Sequence, residues 1–431
     1  MLRLLADWVG LQRSQWMKKE RLAQMQARKL QDMVRHAFRN VPMYNRLYKA
    51  AGVCASSITD TRSITRLPTI TKQYLRDTPL AERTSLDADV NSCFRRTTSG
   101  STGIPLAILE DQRSLTYYGA LLLRRYWAHG MRPQHKVCIY PGADRRSFFT
   151  NTGGVLGFIM RRKVRRLALA ADVHDHMSLL SKWKPDILMA PPSYFRTLIE
   201  ATEKAGQRMA LKVAIASGEM LDRSTRKLIG ETFDAEVFDV YGLSEVGGVA
   251  WECPTHCGYH INADSLVVEF LRNGEPLSDG ESSEMCFTNL YRKATPIIRY
   301  LSGDMAIPLE DECLCGRKLP SIKNIQGRVV DSIATIDGRH ISPHTVMYTL
   351  EDIPGVAEYR VMQEADYSVT ILVKMLGPDA ERAVESLRVR CGQLFGEMQV
   401  EIKLVDRMPD QRDRKRRVVE SNVKSSQVFS G

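Results

Sequence analysis

Thr97-Thr98-Ser99-Gly100-Ser101-Thr102-Gly103-Ile104-Pro105 places five hydroxyls, two glycines and a closing proline in nine residues. Glycine lets a backbone approach a ligand closely and adopt positive φ. Successive N–H groups in such a turn form an anion-binding concavity, and hydroxyls add further donors. The stretch reads either as a loop that holds a triphosphate or as a Ser/Thr/Gly linker. It is not a Walker A loop, because no Gly-Lys-Ser/Thr closes it.

Working outward, short β-rich runs alternate with helical stretches from Val137 onward. The runs are Val137–Tyr140, Ile187–Ala190, Val213–Ala216 and Val237–Val240, with Ser193–Ala205 and Asp222–Phe233 helix-like between them. Strand–helix alternation predicts a parallel α/β sheet, whose post-strand loops carry ligand sites. Tyr241 directly follows one such run. Towards the N-terminus, residues from Leu2 to Arg39 show apolar positions at helical spacing, Leu22, Met25, Leu30, Met33, Val34 and Phe38 among them. Past Asp331 the texture becomes α+β. A helix is expected over Ser342–Leu350, with Ser342 as N-cap and Pro343 first. A strand pair follows at Val356–Met362 and Ser368–Met375, then a helix at Asp379–Phe395 and a strand at Met398–Val405. The fold class is α/β: a large domain over 1–327, with residues 1–90 a mostly helical entry, a hinge at 328–331 and a small α+β domain over 332–431.

The 43% hydrophobic content supports a buried core in a chain of 431 residues. No apolar run approaches the ~18 residues of a membrane span, and the N-terminus lacks a signal-peptide layout, so a cytoplasmic protein is expected. The formal charge of +11 suits phosphate-bearing ligands, but also nucleic acid or anionic lipid.

Downstream residues decide how the opening loop is read. They are Tyr241-Gly242-Leu243-Ser244-Glu245, Arg299-Tyr300-Leu301-Ser302-Gly303-Asp304, Gly327-Arg328-Val329-Val330-Asp331, and Lys415. In this order and spacing they resemble the adenylate-forming ligase superfamily, most of all phenylacetate–CoA ligases and CapK-type proteins. Val41-Pro42-Met43-Tyr44 resembles that group's entry segment.

The resemblance implies an ATP-dependent, AMP-forming carboxylate ligase that uses magnesium. Thr98, Ser99, Gly100, Ser101, Thr102 and Gly103 would cradle phosphates, although Ile104 stands where lysine is common. Tyr241, with Gly242 and Ser244, would face adenine, and Gly218-Glu219 would form the opposite wall. Glu245 would bind magnesium, which takes hard oxygen ligands. On its own, the pair also reads as a strand-end tyrosine and a glutamate in a helix's first turn. Asp304 would capture the ribose hydroxyls, assisted by Arg328. Lys415, in a run where Arg414 replaces the family glycine, would stabilise the transition state, with Asp331 as hinge. Gly338 would approach the pantetheine of CoA. Tyr140, Phe148 and Phe149 would line the acyl pocket and favour an aromatic or apolar acid.

Cys313-Leu314-Cys315-Gly316 is a zinc-knuckle-like turn, and Cys253, His256, Cys257 and His260 cluster upstream. Four such ligands suit a tetrahedral structural Zn²⁺. The family pattern favours Cys253, His260, Cys313 and Cys315, with Cys257 or His256 as substitutes. CoA is the expected acceptor; an amine, a carrier protein or a hydroxyl are alternatives. A non-catalytic nucleic-acid or membrane-surface binder is the reading from another class, and Glu245, Asp304 and Lys415 argue against it. A homodimer is compatible with the sequence.

Overall fold

The computed structural model describes residues 2–97, 106–140, 163–168, 171–277, 280–351, 353–375, 380–409 and 417–423. They divide into two compact units. The first comprises Met1–Gly218, Ile229–Ser302 and Ile307–Asn324; the second comprises Glu219–Leu228, Gly303–Ala306 and Ile325–Gly431.

The first unit opens with helices Leu2–Ser14 and Lys19–Asn40. Leu22, Leu30, Met33, Val34 and Ala37 bury one stripe of the second helix, at the three-and-four spacing that makes one helical face. A buried polar clamp holds the first helix. Ser14 Oγ donates to Asp264 Oδ2 at 2.5 Å, and fully buried Arg124 donates to Asp264 and, at 2.6 Å, to Asn262 Oδ1. Among the described residues, no helix is long and apolar enough to cross a membrane.

The strands, in chain order, are β1 (Ile70–Thr71), β2 (Phe94–Thr97), β3 (Ala107–Glu110), β4 (Val137–Ile139), β5 (Val164–Arg166), β6 (Ile187–Ala190), β7 (Val213–Ser217), β8 (Glu236–Leu243), β9 (Gly247–Glu252), β10 (Tyr259–Ile261), β11 (Leu266–Arg272), β12 (Glu275–Pro276), β13 (Ser283–Asn289), β14 (Tyr300–Leu309) and β15 (Ser321–Arg328). β2 and β3 pair as a separate antiparallel ladder. The others form a 13-stranded sheet in the order β12-β11-β13-β14-β15-β10-β9-β8-β7-β6-β4-β5, with β1 beside β14. β5, β4, β6, β7 and β8 run parallel, as the strand–helix alternation predicts. The runs of β4, β6 and β7 are wholly buried and almost entirely apolar, as expected for strands covered on both faces. From β8 onward the pairing turns antiparallel, β8–β9–β10–β15. Short turns join β8 to β9 and β9 to β10 in place of crossover helices, whereas β15 reaches β10 only after β11–β14, and the sequence reading had not anticipated this half.

In the second unit, β16 (Ile333–Ala334) and β17 (His340–Ile341) form a hairpin. Helix Pro343–Leu350 follows, its N-cap Ser342 Oγ accepting from Thr345 N at 3.1 Å and Pro343 in the first turn. The main sheet has the order β20-β19-β18-β21, from β18 (Val356–Gln363), β19 (Val369–Met375), β20 (Val400–Leu404) and β21 (Val419–Ser421). Val346, Leu350, Val361, Ile371, Val373 and Leu387, the last on helix Ala380–Phe395, share one core. Each fully buried aliphatic side chain contributes about 1.5–3 kcal/mol. β21, at three residues, was too short to show a period in sequence.

Candidate active site

β8 does not stop before Tyr241. It runs on to Leu243, turns at Ser244–Val246 and returns as β9, with Tyr241 opposite Ala250 and Gly242 opposite Gly248. Glu245 therefore sits on a hairpin turn and not in the first turn of a helix. A Cβ on Gly242 would lie 2.7 Å from the Gly247 carbonyl oxygen, so the hairpin closes only with glycine at that position. The turn is gripped through its backbone. Asn289 Nδ2 donates to Val246 O at 2.9 Å, and Arg292 Nη1 donates to Glu245 O.

The Glu245 side chain is buried, 4% exposed. Lys72 Nζ lies 2.9 Å from its Oε1 as a facing charge, without hydrogen-bond alignment. Lys72 opens helix Lys72–Asp77. The sequence reading missed it, because a single lysine at the start of a short helix carries no spacing signal. Tyr241, half-buried, has its ring 6.5 Å from that of Phe287. Ser244 is exposed, and Gly218 follows β7 directly.

In the second unit the structure joins two of the predicted residues. Asp304 on β14 is 5% exposed and accepts from Arg328 Nε at 3.1 Å. Glu219 is half-buried in the same unit. Asp331 lies in a single 3₁₀ turn, Val329–Asp331, and accepts from Arg417 Nη1 at 2.9 Å. Burial pushes its carboxyl pKa up, with Arg417 and then Arg328 opposing. Gly338 sits in the turn between β16 and β17 at φ +83°, and its N–H donates to Thr335 O at 3.0 Å. That backbone conformation accounts for the glycine by itself.

Tyr140 follows β4 and stacks on Tyr194, ring centroids 3.9 Å apart; Tyr194 Oη lies 2.8 Å from His176 Nδ1. Neither Tyr194 nor His176 stood out in the sequence. Thr98 to Gly103, Phe148, Phe149 and Lys415 lie outside the described residues.

Four metal-ligating side chains converge in the first unit. Cys253 follows β9, His260 is on β10, and Cys313 and Cys315 lie between β14 and β15; their donor atoms all fall within 4.8 Å of one another. Cys253 and Cys313 sulfurs are 3.3 Å apart, and His260 Nε2 is 3.2 Å from Cys315 Sγ. Ser321 Oγ, 3.1 Å from His260 Nδ1, orients the ring from behind. Burial lowers the His260 pKa to about 4, with Arg317 adding to the effect. The imidazole is thus kept in the neutral form that ligates metal. His256 lies apart from these four, its Nδ1 2.9 Å from Glu252 Oε1. Cys257 Sγ touches Cys313 Sγ at 2.9 Å from outside the four.

The family model of AMP-binding enzymes matches residues 93–289. Phenylacetate–coenzyme A ligase of Thermus thermophilus is 27% identical over 358 residues, covering 79% of this chain and 78% of the relative. The Escherichia coli phenylacetate–coenzyme A ligase is 28% identical, covering 75% of each. In fold, the chain is similar to 2-hydroxyisobutyryl-CoA ligase in the postadenylation state with an acyl-adenylate bound. The TM-score is 0.81 at 21% identity, covering 96% of this chain and 92% of that one. That ligase is also solved with CoA in its thioester-forming state. The chain thus matches AMP-binding enzymes over residues 93–289 and is similar to phenylacetate–CoA ligases, AMP-forming ligases of the adenylate-forming superfamily, over about three quarters of its length.

Proposed function

We propose that this enzyme activates a carboxylic acid with ATP and passes the acyl group to CoA. A carboxylate oxygen attacks the α-phosphorus, the bond to the β-phosphate oxygen breaks, and pyrophosphate leaves. The CoA sulfur then attacks the acyl carbon, and AMP leaves. The observation that carries this reading is the Glu245 turn: a buried carboxylate four residues past Tyr241 on the same hairpin.

Tyr241 stacks on adenine in this reading, with Gly218 and Glu219 supplying the other wall. Asp304 accepts from the ribose hydroxyls, and Arg328 holds its carboxylate in place. Glu245 fits magnesium because Oε1 is a hard oxygen, buried and without an aligned donor. Magnesium held there would neutralise charge on the phosphates. Lys415 places a preorganised positive charge on the reacting groups. The four converged Cys and His donors match a structural zinc in number and chemistry. Tyr140, stacked on Tyr194, offers an aromatic wall that suits an aryl or arylacetic acid. Asp331 is the pivot on which the second unit turns between the two half-reactions. The structural neighbour is solved in a postadenylation state and in a thioester-forming state, which supports two working states of the enzyme.

The test is pyrophosphate release from ATP across a panel of aryl and aliphatic acids, with and without CoA. Release with an arylacetate, and thioester formation only with CoA, is the expected result. Release that responds to an amine and not to CoA would move the enzyme to an amide-forming role. Absence of release with every acid would refute the reading.

A further inference from the structure

Glu110 ends β3 and is fully buried, yet it faces two guanidinium groups. Arg292 Nη2 lies 2.6 Å from its Oε1, and Arg96 Nη2 lies 2.7 Å from its Oε2. Arg292 is also fully buried, and its other terminal nitrogen donates to the backbone carbonyl of Glu245. Burial pushes the Glu110 carboxyl up, but Arg292 and Arg96 outweigh it and hold the group below its usual range. Glu110 thus stays ionised in the interior. Such a pair is weak evidence for stability, since apolar residues of similar volume often serve as well. It does fix geometry. A guanidinium is a rigid planar fork, and this one spans a carboxylate and a carbonyl at once. Asn289, three residues before Arg292, also caps it, its Oδ1 accepting from Arg292 N at 2.8 Å while its Nδ2 holds Val246 O.

We infer that Arg292, braced by Glu110, is the positioning residue for the Glu245 carboxylate, tying the β2–β3 ladder to the β8–β9 turn. The inference rests on the assignment of Glu245 to magnesium given above. Arg292 touches neither nucleotide nor metal in this scheme; it sets the turn from which Glu245 projects. Outer partners of a metal ligand commonly control its affinity by about 10–100-fold.

The experiment is calorimetric titration of the full chain with ATP, in magnesium and in chelator, with AMP as control. The variants are Arg292→Lys, which keeps the charge but loses the fork, and the double Glu110→Gln/Arg292→Met, which leaves only the partly exposed Arg96 charged. In the wild type, magnesium should tighten ATP binding. Both variants should lose about 10–100-fold of that magnesium-dependent gain, while AMP affinity stays within about twofold. Glu245→Gln should abolish the gain. A full magnesium gain in Arg292→Lys, or AMP and MgATP weakening in parallel, would overturn the positioning role and leave Glu245 as the ligand. No gain in the wild type, or none lost in Glu245→Gln, would remove the magnesium assignment and the inference with it.

Discussion

Removing the metal should destabilise the first unit by an amount the fold itself sets. Cys253 and Cys313 are 60 positions apart in sequence, yet their sulfurs lie 3.3 Å from each other. Treated as a cross-link that persists on unfolding, zinc would close a loop of that length in the unfolded chain. The entropy removed from the unfolded state by a cross-link of this span is worth about 4 kcal/mol. For a cooperative unit of this size, that corresponds to a fall of roughly 6 °C in the melting temperature. The unit also loses an anchor. Arg317, two residues past Cys315, stacks on Trp16 and Trp251 at 5.0 and 5.3 Å, and Lys318 N donates to Gln15 O at 2.8 Å. The knuckle thereby holds the N-terminal helices on the sheet. The assay is a calorimetric melt of protein before and after chelation, alongside metal analysis of protein made without a histidine tag. About one zinc per chain is expected, and Cys313→Ser should reproduce the chelated melt. A folded, metal-free preparation with an unshifted melt would refute the argument and reduce the cluster to neighbouring thiols.

Lys415→Ala should slow adenylation by ~10²–10³; an unchanged rate in pre-steady-state pyrophosphate release would exclude it from the role. Asp331→Pro fixes one backbone torsion at the turn beside Arg417. It should preserve pyrophosphate release and lose most thioester formation, whereas equal loss of both steps would point to a pivot elsewhere. His129, fully buried and stacked on Phe238, has its pKa lowered by burial to about 3. Its folded value lies below its unfolded one, so the unfolded state takes the proton first, and stability is lost as pH falls from about 6.5 towards 3. Between pH 6.5 and 4.5 the loss should be about 2–3 kcal/mol. Denaturation of His129→Gln against wild type should show the difference between the two shrinking by that amount on acidification, and a pH-independent difference would contradict it.

Local chemistry made much of this protein legible without coordinates. Ser342 before Pro343 announces a capped helix because the side chain and the missing N–H both answer needs confined to one turn. The apolar runs of β4, β6 and β7 announce buried parallel strands for the same reason, since burial on both faces removes any polar alternation. The order of Tyr241, Glu245, Asp304 and Arg328 pointed to nucleotide chemistry as a pattern of residue types. Tertiary structure alone decided how those residues are held. It carried β8 past Tyr241 into an antiparallel hairpin, placing Glu245 on a turn. It set Lys72 against that carboxylate and linked Glu110 to Arg292 across 182 positions. It also drew four of six metal-ligating candidates to one point. Capping, periodicity and turn preference act within a few residues, so a sequence displays them directly. Pairings between distant residues depend on which strands become neighbours, and that is settled only when the chain buries its core.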